Sequence, residues 1–370
     1  MTKTEQDLEY MGLALELAAK ARGYTSPNPM VGAVLVKDGR IVGQGYHKQA
    51  GQPHAEVEAL REAGAEAKGA TLYVNLEPCC HTGRTPPCTD AVIQAGIKRV
   101  VAAMSDPNPK VAGQGIEILR SRGIEVEVGL REKEALRLNE AFCTYHRLKR
   151  PFVVAKWAMT LDGRTSADNG SSQWISNEAS REYVHRVRAS LDAVGVGVGT
   201  VFFDDPELNV RLPGYAGPQP RRVIFDGSLR VPLAAKCLSA GGGQPIIVCS
   251  PDADEVRLKR LRDAGYTVAV SPGRGRVVDL KETFEMLCEY NILSILVEGG
   301  RQLHTSLLSA GLADKVIVFV APKIVGGRLN TSPVDALGID SMTEALELKD
   351  VQVHAFGCDA CIEGYVNPLC

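Results

Sequence analysis

Several things are missing from this 370-residue sequence, and each absence closes off a class of function. There is no basic excess: 42 Lys and Arg face 44 Asp and Glu, a formal net charge of −2. A protein that grips phosphate backbones carries surplus cations, so nucleic acid and anionic membranes are not expected partners, while small anionic ligands remain open. No long apolar run is present. The longest, 193–201, is short and glycine-rich, against the ~20 residues a membrane span needs. Residues 1–23 lack the pattern of a secretory leader, because Asp7, Glu9 and Glu16 interrupt Leu8, Met11, Leu15 and Ala18, which recur at helical spacing. Repeats and low-complexity tracts are also absent. A disulfide framework is not expected from the ten cysteines, most of which stand singly in apolar segments (Cys237, Cys249, Cys288). They read as buried thiols of a reducing cytosol, and a cytoplasmic location is expected.

What is present predicts two α/β domains. A hydrophobic fraction of 45% with 23% charged residues supports ordinary cores, and the length suits two domains of ~100–200 residues each. Apolar runs at 31–36 and 41–47 flank Lys37-Asp38-Gly39-Arg40, a hairpin signal. Helical patterns at 53–63, 88–95, 115–121 and 131–142 alternate with strand patterns at 71–76, 99–104 and 124–128. A mixed, mostly parallel sheet with helices on both faces is expected. The basic segment 145–151, ending in Pro151, reads as a linker or a domain boundary. Beyond it a strand starts at Phe152. Strands at 246–249, 267–270 and 295–297 and helices at 256–264 and 284–290 follow, with two strands around Gly357 in 346–365.

Three fragments converge on one chemistry: Pro53-His54-Ala55-Glu56, Glu77-Pro78-Cys79 and Pro87-Cys88. One imidazole and two thiolates form a ligand set suited to tetrahedral Zn²⁺, and three protein ligands leave a fourth position for water, the mark of a catalytic site. Pro53 and Pro87 suit helix starts, which put His54 and Glu56 in one first turn and give Cys88 the positive end of another. Glu56 is the natural proton shuttle for deaminating a small heteroaromatic ring. Taken singly, a His-x-Glu is a solvated helix start and two cysteines are a core pair. Cys80 and His81 are adjacent alternative ligands, ranked below Cys79.

The second half is less explicit. Glycine alternation at Gly195, Gly197 and Gly199 is a weak signal that most often marks close packing rather than a ligand loop. Strand 295–297 runs through Glu298-Gly299-Gly300 into a helix over 301–310, whose free N–H groups can cradle phosphates. A plain strand-to-helix turn is equally consistent. Trp174, on residues alone, is core.

With Leu76-Glu77-Pro78-Cys79 and His54-Ala55-Glu56, the chain resembles the cytidine-deaminase-like superfamily. Eight residues separate Cys79 from Cys88, and the insert Gly83-Arg84-Thr85-Pro86-Pro87 resembles the bifunctional deaminase–reductases of riboflavin biosynthesis. Ser26-Pro27-Asn28-Pro29, Asp106-Pro107-Asn108-Pro109 with Gly113-Gln114-Gly115, and Leu161-Asp162-Gly163-Arg164 extend the resemblance over nearly the whole chain. It implies a three-layer α/β/α deaminase domain over residues 1–146 and a dihydrofolate-reductase-like α/β domain over 147–370. The first would deaminate 2,5-diamino-6-ribosylamino-4(3H)-pyrimidinone 5′-phosphate. The second would reduce the ribosyl group to ribityl with NADPH. The resemblance implies zinc on His54, Cys79 and Cys88, and a pocket shaped by the Asn28 region and the loop from Lys48. For NADPH it implies Ala158, Trp174, Thr200, Asp204, Gly300, Arg301, Gln302, Leu303, His304, Thr305 and Ser306. For the phosphoribosyl substrate it implies Ser172, Arg188, Leu208, Arg211 and Glu298. The two arginines make chemical sense as guanidinium forks for phosphate. Asp226-Gly227 departs from the family's Asp-Ser, and Asp204 is the candidate proton donor. The partner expected is a small molecule, with a homo-oligomer compatible. The rival reading is a polynucleotide (tRNA) deaminase with an accessory domain; the long Cys79–Cys88 spacing and the missing basic excess disfavour it.

Overall fold

Asp38 and Gly39 both take positive φ (50° and 74°), the conformation a two-residue hairpin turn requires, and they join β1 (Gly32–Lys37) to β2 (Arg40–Tyr46) as the sequence predicts. The structure, a computed structural model, describes residues 3–82, 86–273, 275, 277–328 and 331–368. It divides into two compact units, one ending at Lys149 and one spanning Arg150–Pro368. Among the described residues no helix is long and apolar enough to cross a membrane.

In the first unit α1 (Lys3–Ala19) precedes the hairpin. After it come α2 (Ala55–Ala63), β3 (Thr71–Val74), α3 (Cys88–Gln94), β4 (Arg99–Ala102), α4 (Gln114–Ser121), β5 (Glu125–Val128), α5 (Glu132–Leu138) and α6 (Glu140–Leu148). The strand order is β2-β1-β3-β4-β5, antiparallel through β3 and parallel from β3 to β5. Register and glycine placement put helices on both faces. Gly45 pairs with Ala33, so it shares that residue's face, and Gly32 points to the other. A Cβ on Gly32 would lie 2.1 Å from the Ala14 carbonyl of α1, and one on Gly45 would lie 2.7 Å from the Ala55 carbonyl of α2. The result is a three-layer α/β/α sandwich.

Two expectations are corrected. The pattern over 131–142 is not one helix, because Asn139 leaves helical geometry (ψ 28°) and spends its amide on the Met30 backbone, accepting from its N–H at 2.8 Å and donating to its carbonyl at 2.9 Å. The basic segment 145–151 does hold the boundary between the units, after Lys149, but it is not a linker: α6 continues to Leu148, and the chain turns at Lys149 (φ 58°). In α1, Met11 and Ala18 are buried as expected, but Leu8 is exposed while its neighbour Asp7 turns inward. There Asp7 accepts from Arg99 at 2.7 and 3.0 Å and from the Tyr73 hydroxyl.

The second unit contains β6 (Phe152–Thr160), α7 (Glu178–Ser190), β7 (Ala193–Gly197), α8 (Val198–Asp204), β8 (Arg221–Phe225), α9 (Lys236–Ser239) and β9 (Ile246–Cys249). It continues with α10 (Glu255–Asp263), β10 (Thr267–Val270), α11 (Leu280–Leu287), β11 (Ser294–Val297), α12 (Arg301–Ser309), β12 (Lys315–Ala321), β13 (Lys349–Phe356) and β14 (Asp359–Tyr365). Helix α11 begins ahead of the expected 284 because Asp279 caps it, its carboxylate accepting from Glu282 N at 3.0 Å. A nine-stranded sheet runs β10-β9-β8-β7-β11-β6-β12-β14-β13. It is parallel from β10 to β12, then antiparallel through the hairpin that turns at Gly357 (φ 59°). The carboxyl ends of β6, β7 and β11 therefore lie side by side, where parallel sheets hold ligands.

Candidate functional site

In the first unit, His54 is the N-cap of α2 and Cys88 the first residue of α3, the two helix starts that the prolines predicted. His54 Nδ1 lies 3.2 Å from Cys88 Sγ and 3.5 Å from Cys79 Sγ, and all three donor atoms fall within 4.8 Å of one another. Tetrahedral zinc with ~2.3 Å bonds to sulfur and ~2.0 Å bonds to nitrogen needs donors about 3.5–3.8 Å apart, so this set fits the ion. The Cys88 backbone N–H points at Cys79 Sγ at 3.4 Å, and the Cys79 thiol is pulled well below its ordinary value, first by its hydrogen bond with Cys88 and then, against burial, by His54. Cys80 stands apart from this cluster, its sulfur 4.0 Å from the Lys110 carbonyl, and His81 is exposed. Residues 83–85 of the Gly83-Arg84-Thr85 insert lie outside the described residues.

Glu56 is buried beside the three ligands. Burial, then the Cys79 charge, push its carboxyl up to about 7, and its Oε2 has no hydrogen-bond partner. A buried carboxylate oxygen left open in a site for a metal and water is placed to receive and return a proton.

Supporting residues escaped the sequence reading. Glu77, expected only as a motif neighbour, is buried and accepts from the backbone N–H groups of Asp106, Gly113 and Ile116 at 3.0, 3.0 and 3.2 Å. It thereby ties the Asp106-Pro107-Asn108-Pro109 loop to the strand end that carries Cys79. Gly115 is required there, since a Cβ would meet the Pro78 carbonyl at 2.2 Å. His47 is buried with its ring edge-on to His54, at 5.2 Å between centroids. Its Nδ1 must donate to the Pro53 carbonyl (3.1 Å), which leaves Nε2 to accept from Asn28 Nδ2 (3.1 Å).

In the second unit the expected residues gather at the carboxyl ends of the parallel strands. Gly300 caps α12 without a side chain, and Arg301 to Ser306 form its first turns. Within these turns Leu303 and His304 face the core, His304 Nε2 is 3.2 Å from the Val297 carbonyl, and the His304 N–H is spent on the Gly300 carbonyl at 3.0 Å, so of the two only the Leu303 backbone can meet a ligand. Thr200 sits in α8, where a Cβ on Gly299 or Gly300 would come 3.2 Å from its Oγ1. Gly195 does serve close packing, its Cβ position being 3.0 Å from Ile295 and Phe225 atoms. Ser172 Oγ donates to Asp204 at 2.7 Å. Ala158 lies in β6, and Leu208 is buried with φ 56°. Trp174 is not core: it is 60% exposed, with the Arg181 guanidinium 4.5 Å from its ring centroid.

The arginines divide in role. Arg188 spends its fork on Glu298, at 2.5 and 2.9 Å, and its remaining edge on the Asn209 carbonyl at 2.8 Å. Burial alone would raise Glu298, but the Arg188 charge and hydrogen bonds outweigh it and hold the carboxyl at about 2. Arg211 is exposed, with one guanidinium nitrogen on Glu207 (3.3 Å) and Asn209 Oδ1 (2.5 Å), so of the two arginines it is the one a phosphate can reach from solvent. Lys156 on β6 faces the same pair; burial lowers its pKa and Glu298 opposes the shift. The signal for Lys156 was present: it is the only charge in the apolar strand Phe152–Thr160.

Residues 4–104 match the cytidine and deoxycytidylate deaminase zinc-binding region, and residues 151–362 match the RibD C-terminal domain. The riboflavin biosynthesis protein RibD of Aquifex aeolicus is 49% identical over 97% of this chain and 98% of its own. The chain belongs to the RibD family. The Escherichia coli RibD is 42% identical over 96% of this chain and 98% of its own. Among solved structures, Acinetobacter baumannii RibD superposes with a TM-score of 0.89 at 40% identity, covering 98% of this chain and 99% of that one. A Thermotoga maritima structure described as a diaminohydroxyphosphoribosylaminopyrimidine deaminase/5-amino-6-(5-phosphoribosylamino)uracil reductase gives 0.85 at 38%, again over 98% and 99%. The RibD match spans both units, so the fold class of each and the pairing of two activities on one chain follow from the family. An isolated polynucleotide deaminase with an unrelated accessory domain does not fit it.

Proposed function

We propose that His54, Cys79 and Cys88 hold the zinc and Glu56 moves the protons in hydrolytic deamination of 2,5-diamino-6-ribosylamino-4(3H)-pyrimidinone 5′-phosphate, and that the second unit then reduces the ribosyl group with NADPH. The observation that carries this reading is the meeting of the three ligand atoms within 4.8 Å beside the open, buried Oε2 of Glu56. When bound, zinc supplies Lewis acidity that lowers the pKa of a water to about 7. Glu56 accepts a water proton at Oε2 and returns it to the ring nitrogen, then carries a second proton, from the hydroxyl so added to the ring carbon, to the amino group, which departs as ammonia. His47 fixes Asn28 at the pocket wall, and Glu77 holds the Asp106 loop, so the ring meets pre-placed polar groups rather than mobile ones.

In the second unit NADPH supplies the hydride. Gly299 and Gly300 leave room for the cofactor phosphates against the α12 start, Thr200 and Asp204 border the same cleft, and Trp174 offers a ring face. Glu298, held ionised by Arg188, keeps a negative charge beside Lys156, a pair suited to orienting the sugar hydroxyls. Arg211 is the phosphate clamp. We place the deaminase in the residues 1–146 and the reductase in 147–370, in a cytosolic enzyme whose described cysteines form no disulfide with one another. A coupled assay of ammonia release and NADPH consumption on the purified protein, with zinc measured alongside, tests the reading. Turnover on RNA with none on the free phosphoribosylaminopyrimidine would overturn it.

A further inference from the structure

The segment leaving β12 has no hydrophobic anchor. Residues 322–328 are all exposed, Ile324 by 77% and Val325 by 45%, so burial of apolar area does not set their position. Hydrogen bonds set it, and they come from the loop that leaves β6 next door, since Ala321 pairs with Thr160 at the carboxyl ends of the two strands. Asp162 accepts from Val325 N at 3.3 Å and Gly326 N at 2.7 Å, and from Thr160 Oγ1 at 2.5 Å within its own turn. Leu161 N donates to the Lys323 carbonyl at 2.8 Å. Further along, Asp168 takes Arg328 N on both oxygens (3.1 and 2.9 Å), and a Cβ on Gly327 would lie 2.5 Å from Asp168 Oδ1. Thr165 closes the row through the Thr331 carbonyl, at 2.9 Å from its N and 2.7 Å from its hydroxyl.

What the strap touches gives this stitching a consequence. Lys323 Nζ donates to the Trp174 carbonyl at 2.5 Å. The strap therefore ties the Trp174 loop to the carboxyl ends of β6 and β12. We infer that Asp162 is a positioning residue of the reductase: by fastening the strap 323–328, and with it Lys323, it holds the Trp174 loop in the arrangement that receives NADPH. This inference rests on the reading of the second unit as the NADPH site. Its dominant effect falls on cofactor binding, because neither Asp162 nor the strap contributes a reacting group.

The test compares wild-type protein, Asp162→Ala, Asp162→Asn and Lys323→Met in two measurements. Amide hydrogen exchange without cofactor reads the strap directly, and NADPH titration by fluorescence reads the Kd. Asp162→Ala should speed exchange at Val325 and Gly326 and raise the Kd for NADPH about tenfold, the loss of one charge-assisted contact set. Its kcat at saturating NADPH should stay within about threefold, and ammonia release by the first unit should not change. Asp162→Asn, which keeps one acceptor oxygen, should fall between, and Lys323→Met should weaken NADPH binding without speeding exchange at Gly326. Unchanged exchange, or an Asp162→Ala Kd within about twofold of a wild-type protein that binds NADPH, overturns the inference alone. A wild-type protein that binds no NADPH overturns the functional reading and the inference with it.

Discussion

The buried pair Arg188–Glu298 is the most exacting test of how the reductase unit is held together. Both side chains are 10% exposed and meet through two bonds of 2.5 and 2.9 Å. Glu298→Gln keeps the shape but leaves the Arg188 charge buried without its counter-ion, and breaking such a pair costs about 3–5 kcal/mol. The acid–base side agrees. The carboxyl sits at about 2 against an ordinary 4.5, worth ~3 kcal/mol at ~1.4 kcal/mol per pH unit. Because the folded-state pKa is depressed, that stability is fully present above the unfolded value and is lost as pH falls toward 2. Thermal unfolding of wild-type, Glu298→Gln, Arg188→Met and double-variant protein between about pH 7 and about pH 3 measures it. For a unit of this size ~1 kcal/mol corresponds to about 2–4 °C, so Glu298→Gln should lower its Tm by roughly 6–20 °C near neutrality. The gap should shrink below about pH 4.5, and the double variant should recover part of the loss. A neutral-pH loss under ~1 kcal/mol, a gap that persists in acid, or additive single effects would refute the reasoning.

Three further outcomes are expected. Cys79→Ser and Cys88→Ser should each lose bound zinc and ammonia release, whereas Cys80→Ser should keep both; equal zinc loss from Cys80→Ser, measured by elemental analysis, would undo the ligand assignment. Glu56→Gln should cut ammonia release by at least about 10²-fold while zinc content and NADPH oxidation on pre-deaminated substrate persist, and full deamination by that variant would remove Glu56 from its role. Arg211→Ala should raise KM for the phosphorylated substrate with kcat little changed, as loss of a uniform binding contact does; an unaltered KM argues against the clamp.

The sequence by itself determined whatever depends on near neighbours along the chain. Proline before His54 and before Cys88 marks two helix starts, Asp38-Gly39 marks a turn, and the strand-helix alternation marks two α/β units; backbone sterics and side-chain periodicity act within a few residues, so these are legible in one dimension. Tertiary structure decided what depends on meetings between distant segments. Arg188 reads as a phosphate fork until Glu298, distant in sequence, occupies it. Asn139 reads as helix interior until Met30 claims its amide, and Asp7 reads only as an interruption of an apolar pattern until Arg99 and Tyr73 surround it. The partners of a buried polar group are set by which elements the fold packs together, and no local pattern encodes that choice.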